Sequence, residues 1–141
     1  MRILAVDPGE KRLGIAISDL SGVIANPLTV LQHVSRVVDA AAIAALAAEQ
    51  QAVKIIVGQA LDADNNPTPQ SRMSARLAEA IRQQTNLPVE LWDESGSTQA
   101  ARSAHILIGG SKRSRRQRGH GHLDDLAATY ILQTYLDQTS R

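Results

Sequence analysis

Cysteine and phenylalanine are absent from this 141-residue sequence, and tryptophan and tyrosine together occur only three times. Because there is no thiol, disulfide bonds and thiolate metal sites are excluded, and a reducing compartment is compatible with the composition. Because aromatic side chains are so few, we do not expect a platform on which single-stranded bases stack. Any binding of nucleic acid would instead use the backbone or the shape of the ligand.

Long apolar runs are also lacking. No stretch approaches the length that would span a membrane, and the first residues lack the apolar segment of a signal peptide. We therefore expect a soluble, cytoplasmic protein with no membrane partner. A hydrophobic content of 43% suffices for one core. Since there is neither an internal repeat nor a linker, residues 1–141 are expected to form a single domain.

The net charge is close to zero, but the cations are concentrated. It is +1 overall, and residues 111–122 alone carry +5, which leaves −4 for the rest of the chain. A basic segment of this kind attracts polyanions, although a solvated surface loop has the same composition. The five cations are Lys112, Arg113, Arg115, Arg116 and Arg118.

The hydrophobic pattern predicts three strands, a helix, a strand, a helix, a strand and two further helices. The first three strands suit an antiparallel meander, and Pro27 makes the third an edge strand. This order implies an α/β layered fold with a mixed sheet. The predicted strands are Arg2–Val6, Arg12–Asp19, Val23–Val30, Val53–Gly58 and Val89–Trp92. The predicted helices are Val34–Gln51, Gln70–Gln84, Thr98–Ile108 and His122–Asp137, with the basic segment as a mobile, glycine-flanked loop before the last helix.

Two carboxylates follow predicted strands. Asp7 closes the first strand before Pro8 and Gly9, and Glu94 follows the fifth strand. If these strands are parallel, their carboxyl ends meet at one edge of the sheet, and the two acids would converge there. The alternative for Asp7 is a turn aspartate that bonds its own backbone.

A third acid lies in the last helix. At 100° per residue, the mean apolar direction lies roughly 25° from Asp124 and roughly 125° from Asp125. This predicts that Asp124 faces the protein and Asp125 faces water. The alternative is that Asp124 only complements the positive end of the helix dipole.

Three inward carboxylates suit Mg²⁺ or Mn²⁺, because these hard cations prefer oxygen ligands. Two such ions can activate water and stabilise a leaving oxygen at a phosphodiester, so no protein nucleophile is required. Histidines 105, 120 and 122 also raise the possibility of zinc, but their spacing is not specific for it.

Several motifs together closely resemble the YqgF family, whose members are described as candidate Holliday-junction resolvases and as candidate nucleases that mature the 5′ end of pre-16S rRNA. Their order and spacing are more specific than any one of them, and they cover nearly the whole chain. They are Asp7-Pro8-Gly9-Glu10-Lys11-Arg12-Leu13-Gly14, Ser18-Asp19, Ala25-x-Pro27-Leu28, Ile56-Val57-Gly58, Trp92-Asp93-Glu94-x-x-Ser97-Thr98 and Asp124-x-Leu126-Ala127-Ala128.

This resemblance implies a ribonuclease H-like three-layer fold with a mixed five-stranded sheet. It implies a metal-dependent endonuclease in which Asp7, Glu94 and Asp124 are the catalytic residues and hold Mg²⁺ or Mn²⁺. The expected partners are precursor rRNA or branched DNA and ribosomal precursor particles, and the expected state is a monomer or a weak homodimer. Nucleic acid is expected to contact Lys11, Arg12, Lys112, Arg113, Arg115, Arg116 and Arg118.

The sequence departs from the family pattern at two places. Ser95 follows the glutamate where the family usually has arginine, so a cation that could bind substrate phosphate is missing. Gly58-Gln59-Ala60-Leu61 replaces the usual Gly-x-Pro-Leu. The missing arginine favours an alternative, a nucleic-acid-binding or ribosome-assembly factor without catalysis.

A second alternative rests on Asp7-x-Gly9 and the hairpin after it, which also resemble the phosphate loop of actin-like ATPases and sugar kinases. Those proteins enclose nucleotide between two such lobes, and this chain supplies one.

Changing Arg115, Arg116 and Arg118 together to alanine should weaken nucleic-acid binding more than turnover of bound substrate. The logarithm of affinity falls with the logarithm of salt by roughly 0.7 to 0.9 per neutralised phosphate, so three lost contacts should flatten the slope by about two units. Binding measured over a salt series tests this. An unchanged slope would mean that the segment is only a solvated surface.

Overall fold

The computed structural model describes the backbone of residues 1–94 and 112–139, and the side chains of residues 1–94 and 126–139. Five strands and three helices follow one another in these ranges. The strands are β1 (Arg2–Pro8), β2 (Arg12–Ser18), β3 (Ala25–Gln32), β4 (Ala52–Gln59) and β5 (Val89–Asp93), and the helices are α1 (Arg36–Glu49), α2 (Pro69–Arg82) and α3 (Lys112–Thr139). The helix predicted over Thr98–Ile108 lies outside the described residues.

The five strands form one mixed sheet in the order β3-β2-β1-β4-β5. The first three strands pair antiparallel, whereas β4 is parallel to both β1 and β5. The strand β3 is an edge strand, and Pro27 stands opposite Ala16 where the register with β2 shifts. The predicted meander, mixed sheet and edge strand are therefore confirmed. Strands β1, β4 and β5 end at the same edge, which we call the carboxyl edge.

Alternating side chains of the sheet build two cores. Leu4 and Val6 of β1 pack with residues of α1 and α2 on one face. Ala5, and Ile3 beside it, pack with residues of α3 on the other face. Because neighbouring residues of a strand point to opposite faces, each position of β1 can be assigned to one of the two layers.

Helix α3 runs antiparallel to β4. Its Ile131 lies against Gly58 near the end of β4, while Tyr135, one turn later, accepts a hydrogen bond from Lys54 near the start of that strand, with Nζ and the hydroxyl 2.6 Å apart. The residues that precede Ile131 in α3 therefore continue towards the carboxyl edge and beyond it.

The first two helices begin at residues that cap them. Ser35 precedes α1 and its hydroxyl accepts from the Val38 amide at 3.2 Å. Thr68 precedes α2 and exchanges hydrogen bonds with Ser71 in a capping box, and Pro69 occupies the first turn. Such caps satisfy amides that have no partner within the helix.

The prediction for the start of the last helix was wrong. The helix begins at Lys112, ten residues before the predicted start at His122, so the basic segment is helical instead of a loop. Gly119 and Gly121 indicated a break, but each glycine costs only about 1 kcal/mol relative to alanine. Lysine, arginine and glutamine are good helix formers, and a helix anchored at one end propagates with one hydrogen bond per added residue.

None of the helices in the described ranges combines the length and the apolar character needed to cross a membrane.

Candidate active site

Asp7 is the next-to-last residue of β1 and stands opposite Gly14 of β2. It is half-buried, and it shares the parity of Ile3 and Ala5, which places it on the α3 face of the sheet. The following residue, Pro8, belongs to the opposite face. The carboxyl edge thus presents the Asp7 carboxylate on the side that α3 covers.

Glu94 directly follows β5. Its amide donates to the carbonyl of Gln59 at 2.8 Å, which extends the pairing of β4 and β5 by one step past the strand. Its side chain is only 9% exposed although the residue has left the sheet. Burial of an ionised carboxylate costs free energy unless a cation or hydrogen bonds compensate it, so this placement is unusual for a residue at a strand end.

Gly58 of β4 explains where the Glu94 side chain lies. A Cβ atom at position 58 would be 2.8 Å from Glu94 Oε2 and 2.6 Å from Ile131 Cδ1, both closer than real contacts of this kind. The carboxylate and the isoleucine therefore occupy the space that a side chain at position 58 would need. Because β4 lies between β1 and β5, Glu94 lies above the sheet on the same face as Asp7.

Trp92 and its contacts hold β5 against α3 beside Glu94. The indole meets the Tyr135 ring edge to face, with centroids 5.1 Å apart. The hydroxyl of Tyr135 accepts from Lys54, whose Nζ also lies 2.6 Å from Glu90 Oε2. Partial burial lowers the pKa of Lys54, but these two contacts outweigh it and raise the pKa above its usual value. Lys54 thus stays protonated and links the strands to the helix.

Asp124 lies in α3, seven residues before Ile131, and its side chain lies outside the described residues. The direction of α3 places this part of the helix at the carboxyl edge. The residues of α3 that are buried in the structure define the face of the helix that meets the sheet. The centre of this face lies roughly 30° from position 124 and roughly 70° from position 125, compared with the roughly 25° and roughly 125° predicted from the sequence. The buried residues are Ala127, Ala128, Ile131, Leu132, Tyr135 and Leu136. Position 124 remains the more central, but the separation from position 125 is smaller than the sequence predicted.

The predicted nucleic-acid-binding residues fall into two groups. Lys11 is exposed in the turn after β1, and Arg12 begins β2 and is half-buried. The five basic residues from Lys112 to Arg118 occupy the first turns of α3, and their side chains lie outside the described residues. With 1.5 Å of rise per residue, Arg118 lies roughly 20 Å along the helix axis from Ile131. The basic segment therefore lies well away from the part of α3 that packs over Gly58.

The donors at the carboxyl edge are carboxylate oxygens, which suit a hard divalent cation. The close packing of Glu94 over Gly58 also suits such an ion, because a cation would offset the cost of burying the carboxylate. Within the described side chains no three Asp, Glu or His residues form a metal-binding group. The predicted trio includes Asp124, whose side chain lies outside the described residues.

Asp19, part of one of the motifs, has a structural role. Its carboxylate accepts from the amides of Val23 and Ile24 at 2.9 and 3.0 Å and from the Ser21 hydroxyl at 2.5 Å. These bonds, that of Ser21 first, lower the pKa of Asp19 to about 2. This motif residue therefore stabilises the turn between β2 and β3. Two other motif residues, Gly58 and Trp92, have roles at the site that their sequence patterns did not indicate.

Known proteins are similar to this chain over nearly its whole length. The family model described as RuvX, Holliday junction resolvase, matches residues 1–138. A protein of Myxococcus xanthus, named as a candidate pre-16S rRNA nuclease, is 34% identical over 97% of this chain and 88% of its own length. One of Caldanaerobacter subterraneus with the same name is 37% identical over 97% of this chain and 96% of its own length.

Solved structures share the fold. RuvC of Thermus thermophilus, in complex with a Holliday junction substrate, matches with a TM-score of 0.58 and 15% identity over 98% of this chain and 95% of that chain. The fowlpox virus resolvase, in complex with Holliday junction DNA, matches with a TM-score of 0.58 and 16% identity over the full length of both chains. The predicted ribonuclease H-like fold with a mixed five-stranded sheet is confirmed.

Replacing Gly58 by alanine should displace Glu94 and weaken Mn²⁺ binding, and should also destabilise the fold by about 1 to 3 kcal/mol, the usual cost of overpacking. Adding Ile131→Val removes the Cδ1 atom that the new methyl would meet, so the double variant should recover part of the stability while Mn²⁺ binding stays weak. Urea unfolding and calorimetric titration with Mn²⁺ measure the two effects separately. Recovery of both together would show that Glu94 is not displaced.

Proposed function

The chain belongs to the RuvX family of Holliday junction resolvases and is a nuclease, and on this premise we propose that it is a divalent-metal-dependent endonuclease that hydrolyses phosphodiester bonds in structured nucleic acid. This family membership confirms the family that the sequence motifs predicted. In the proposal, residues 1–141 act as one domain in the cytoplasm, with Mg²⁺ or Mn²⁺ as the cofactor.

A single observation carries the proposal most directly: Glu94 is buried over Gly58, on the face of the sheet to which Asp7 belongs. The carboxylate is folded back over the sheet edge beside an aliphatic side chain, where its burial makes a bound cation favourable. Two carboxylates from parallel strands, with a third position supplied by the neighbouring helix, are suited to hold metal at a phosphate. We propose that Asp7, Glu94 and Asp124 are these ligands and the catalytic residues.

The residues of the site would have different roles in hydrolysis. When bound, the divalent cation supplies Lewis-acid stabilisation of charge on the phosphate and lowers the pKa of attacking water. Asp7 and Glu94 would hold it, and Asp124 would complete the acidic set from the helix. Glu94 is buried and shares the space over Gly58 with Ile131, and low exposure to water would strengthen electrostatic interactions there. No serine or cysteine nucleophile is needed.

The basic segment of α3 would bind the substrate away from the reacting bond. Its distance of roughly 20 Å from Ile131 equals about six phosphates along one strand, at 3.4 Å per phosphate. Lys11, in the turn after Asp7, and Arg12 would contact phosphates much closer to the cleaved bond. A basic segment this far from the packed part of the helix favours an extended or branched substrate over a mononucleotide or a short single strand.

Both substrate classes named for the relatives fit this arrangement. The solved structures of RuvC and the fowlpox resolvase contain Holliday junction DNA, and the curated relatives are named for pre-16S rRNA. We propose precursor rRNA, within ribosomal precursor particles, or branched DNA as the substrate, and a monomer or weak homodimer as the active form. A second candidate, a binding factor without catalysis, is favoured only by Ser95, which stands where the family usually has arginine.

A cleavage assay with Mg²⁺ or Mn²⁺ on a Holliday junction and on a pre-16S rRNA fragment tests the function. Asp7→Asn should abolish cleavage, because amide oxygen is a weaker and uncharged ligand. Asp124→Asn should do the same, whereas Asp125→Asn should retain most activity. Binding of both substrates by all variants serves as the control for folding. Normal cleavage by Asp7→Asn, or equal losses at positions 124 and 125, would contradict the assignment of residues, and binding without cleavage by the unaltered protein would support the binding factor.

A further inference from the structure

A cavity of about 310 Å³ opens on the face of the sheet opposite Glu94, between the turn after β1 and the helices α1 and α2. Its floor is apolar, and its rim carries groups of both charges. The floor consists of Leu13, Met73 and Leu77, and the rim includes Glu10, His33 and Arg36. The volume is at the lower end of the range of roughly 300 to 1,000 Å³ for small-molecule sites.

The rim is fixed by a buried acid. Asp39 is only 4% exposed, and its Oδ1 accepts from the amide of Val34 at 3.0 Å. Its Oδ2 lies 2.5 Å from His33 Nδ1, which must donate because a carboxylate can only accept. This bond fixes the orientation of the His33 ring and leaves Nε2 as its other polar atom. The His33 amide also donates to the carbonyl of Lys11 at 2.9 Å, so the rim is tied to the turn after β1.

The charges of the lining do not favour an anionic ligand. The charged side chains are two carboxylates, of Glu10 and Asp39, and one guanidinium, of Arg36, and the imidazole of His33 is bound to one of the carboxylates. The lining therefore has no excess of positive charge that would attract a phosphate. A flat, uncharged heterocycle with hydrogen-bond donors and acceptors on its edge suits it better, because its faces can contact the leucines and the thioether while its edge meets the rim.

The cavity shares its wall with the candidate active site. Pro8 and Gly9 line the cavity, and Asp7 immediately precedes them in β1. Because successive residues of a strand point to opposite faces, Asp7 faces α3 while Pro8 faces the cavity. The end of β1 and the turn after it therefore border both the cavity and the candidate active site. A nucleotide that crosses this turn could place its phosphate at Asp7 and its base in the cavity.

We propose that the cavity binds one unpaired nucleobase of the substrate, next to the phosphate that is cleaved. This inference rests on the proposed nuclease function and adds a source of selectivity to it. Extruding a base from a duplex costs a few kcal/mol and is least costly where the base is already unpaired, as at a junction or in a loop. A site that needs an unpaired base would direct cleavage to such places without reading the sequence.

The two methionines of the chain allow a direct test that does not depend on activity. Met73 lines the cavity, whereas Met1 immediately precedes β1, at the opposite end of that strand. With ¹³C-methyl methionine, adenosine and uridine 5′-monophosphate should shift the Met73 signal and leave the Met1 signal in place. Ribose 5-phosphate, which lacks the base, should shift neither. No Met73 shift, equal shifts at both methionines, or an equal shift with ribose 5-phosphate would each overturn the proposal.

Two tryptophan variants test whether the cavity takes part in substrate binding. Met73→Trp should fill the cavity, and Arg76→Trp places the same side chain on an exposed position of α2, three residues later. On a cleaved substrate, an abasic residue beside the cleaved bond should lower the affinity of the unaltered protein about tenfold. Arg76→Trp should show the same loss, whereas Met73→Trp should bind both substrates equally and weakly.

Failure of the proposed base site and failure of the proposed nuclease function would give different results. A chain that binds nucleotides at Met73 but cleaves nothing would contradict the nuclease function alone. Cleavage that is insensitive to Met73→Trp and to the abasic residue would contradict the base site alone. Thermal unfolding of both tryptophan variants shows whether a loss of binding reflects a loss of folded protein, and the nucleotide titration of the unaltered chain gives a result in either case.

Discussion

The arrangement of the carboxyl edge depends on the space above Gly58. Only a residue without a Cβ lets α3 and the Glu94 side chain approach β4 at the same point. The packing of the core and the position of Glu94 are therefore coupled: Ile131, which belongs to the core of the α3 face, shares the space over Gly58 with the carboxylate. The edge-to-face contact of Trp92 with Tyr135 and the bonds of Lys54 keep the helix at this distance from the sheet. Any change in how α3 lies on the sheet would move the acid.

The alternation of side chains along β1 gives the protein two different surfaces at one edge. The α3 face carries the acids, and the opposite face carries a cavity with an apolar floor and an ordered polar rim. Since Asp7 and Pro8 are consecutive, the two surfaces are separated by the thickness of one strand. The acids and the cavity lie close together because of strand geometry alone. No flexible element is required to bring them together.

Much of the fold could be predicted from the sequence, because strand and helix periodicity are local properties. The meander, the edge position of β3 and the location of Asp7 and Glu94 at one edge of the sheet all followed from short patterns and from the rule that parallel strands end at the same edge. The start of α3 was missed because Gly119 and Gly121 indicated a break that the surrounding helix formers overrode. The packing over Gly58, the bond between His33 and Asp39, and the limits of the buried face of α3 depend on contacts between distant segments, which no local pattern contains.

The open edge of β3 has a further consequence for the protein at high concentration. An edge strand with free amides and carbonyls is a template on which another chain can add a strand, which is the first step of ordered aggregation. In β3, Pro27 removes one amide donor, and the register shift beside it interrupts the regular spacing of the others. The amide of Ala25, the first residue of β3, is already bonded to the side chain of Gln133 in α3. An incoming strand would therefore find no continuous ladder to extend, and growth of the sheet on that side is disfavoured.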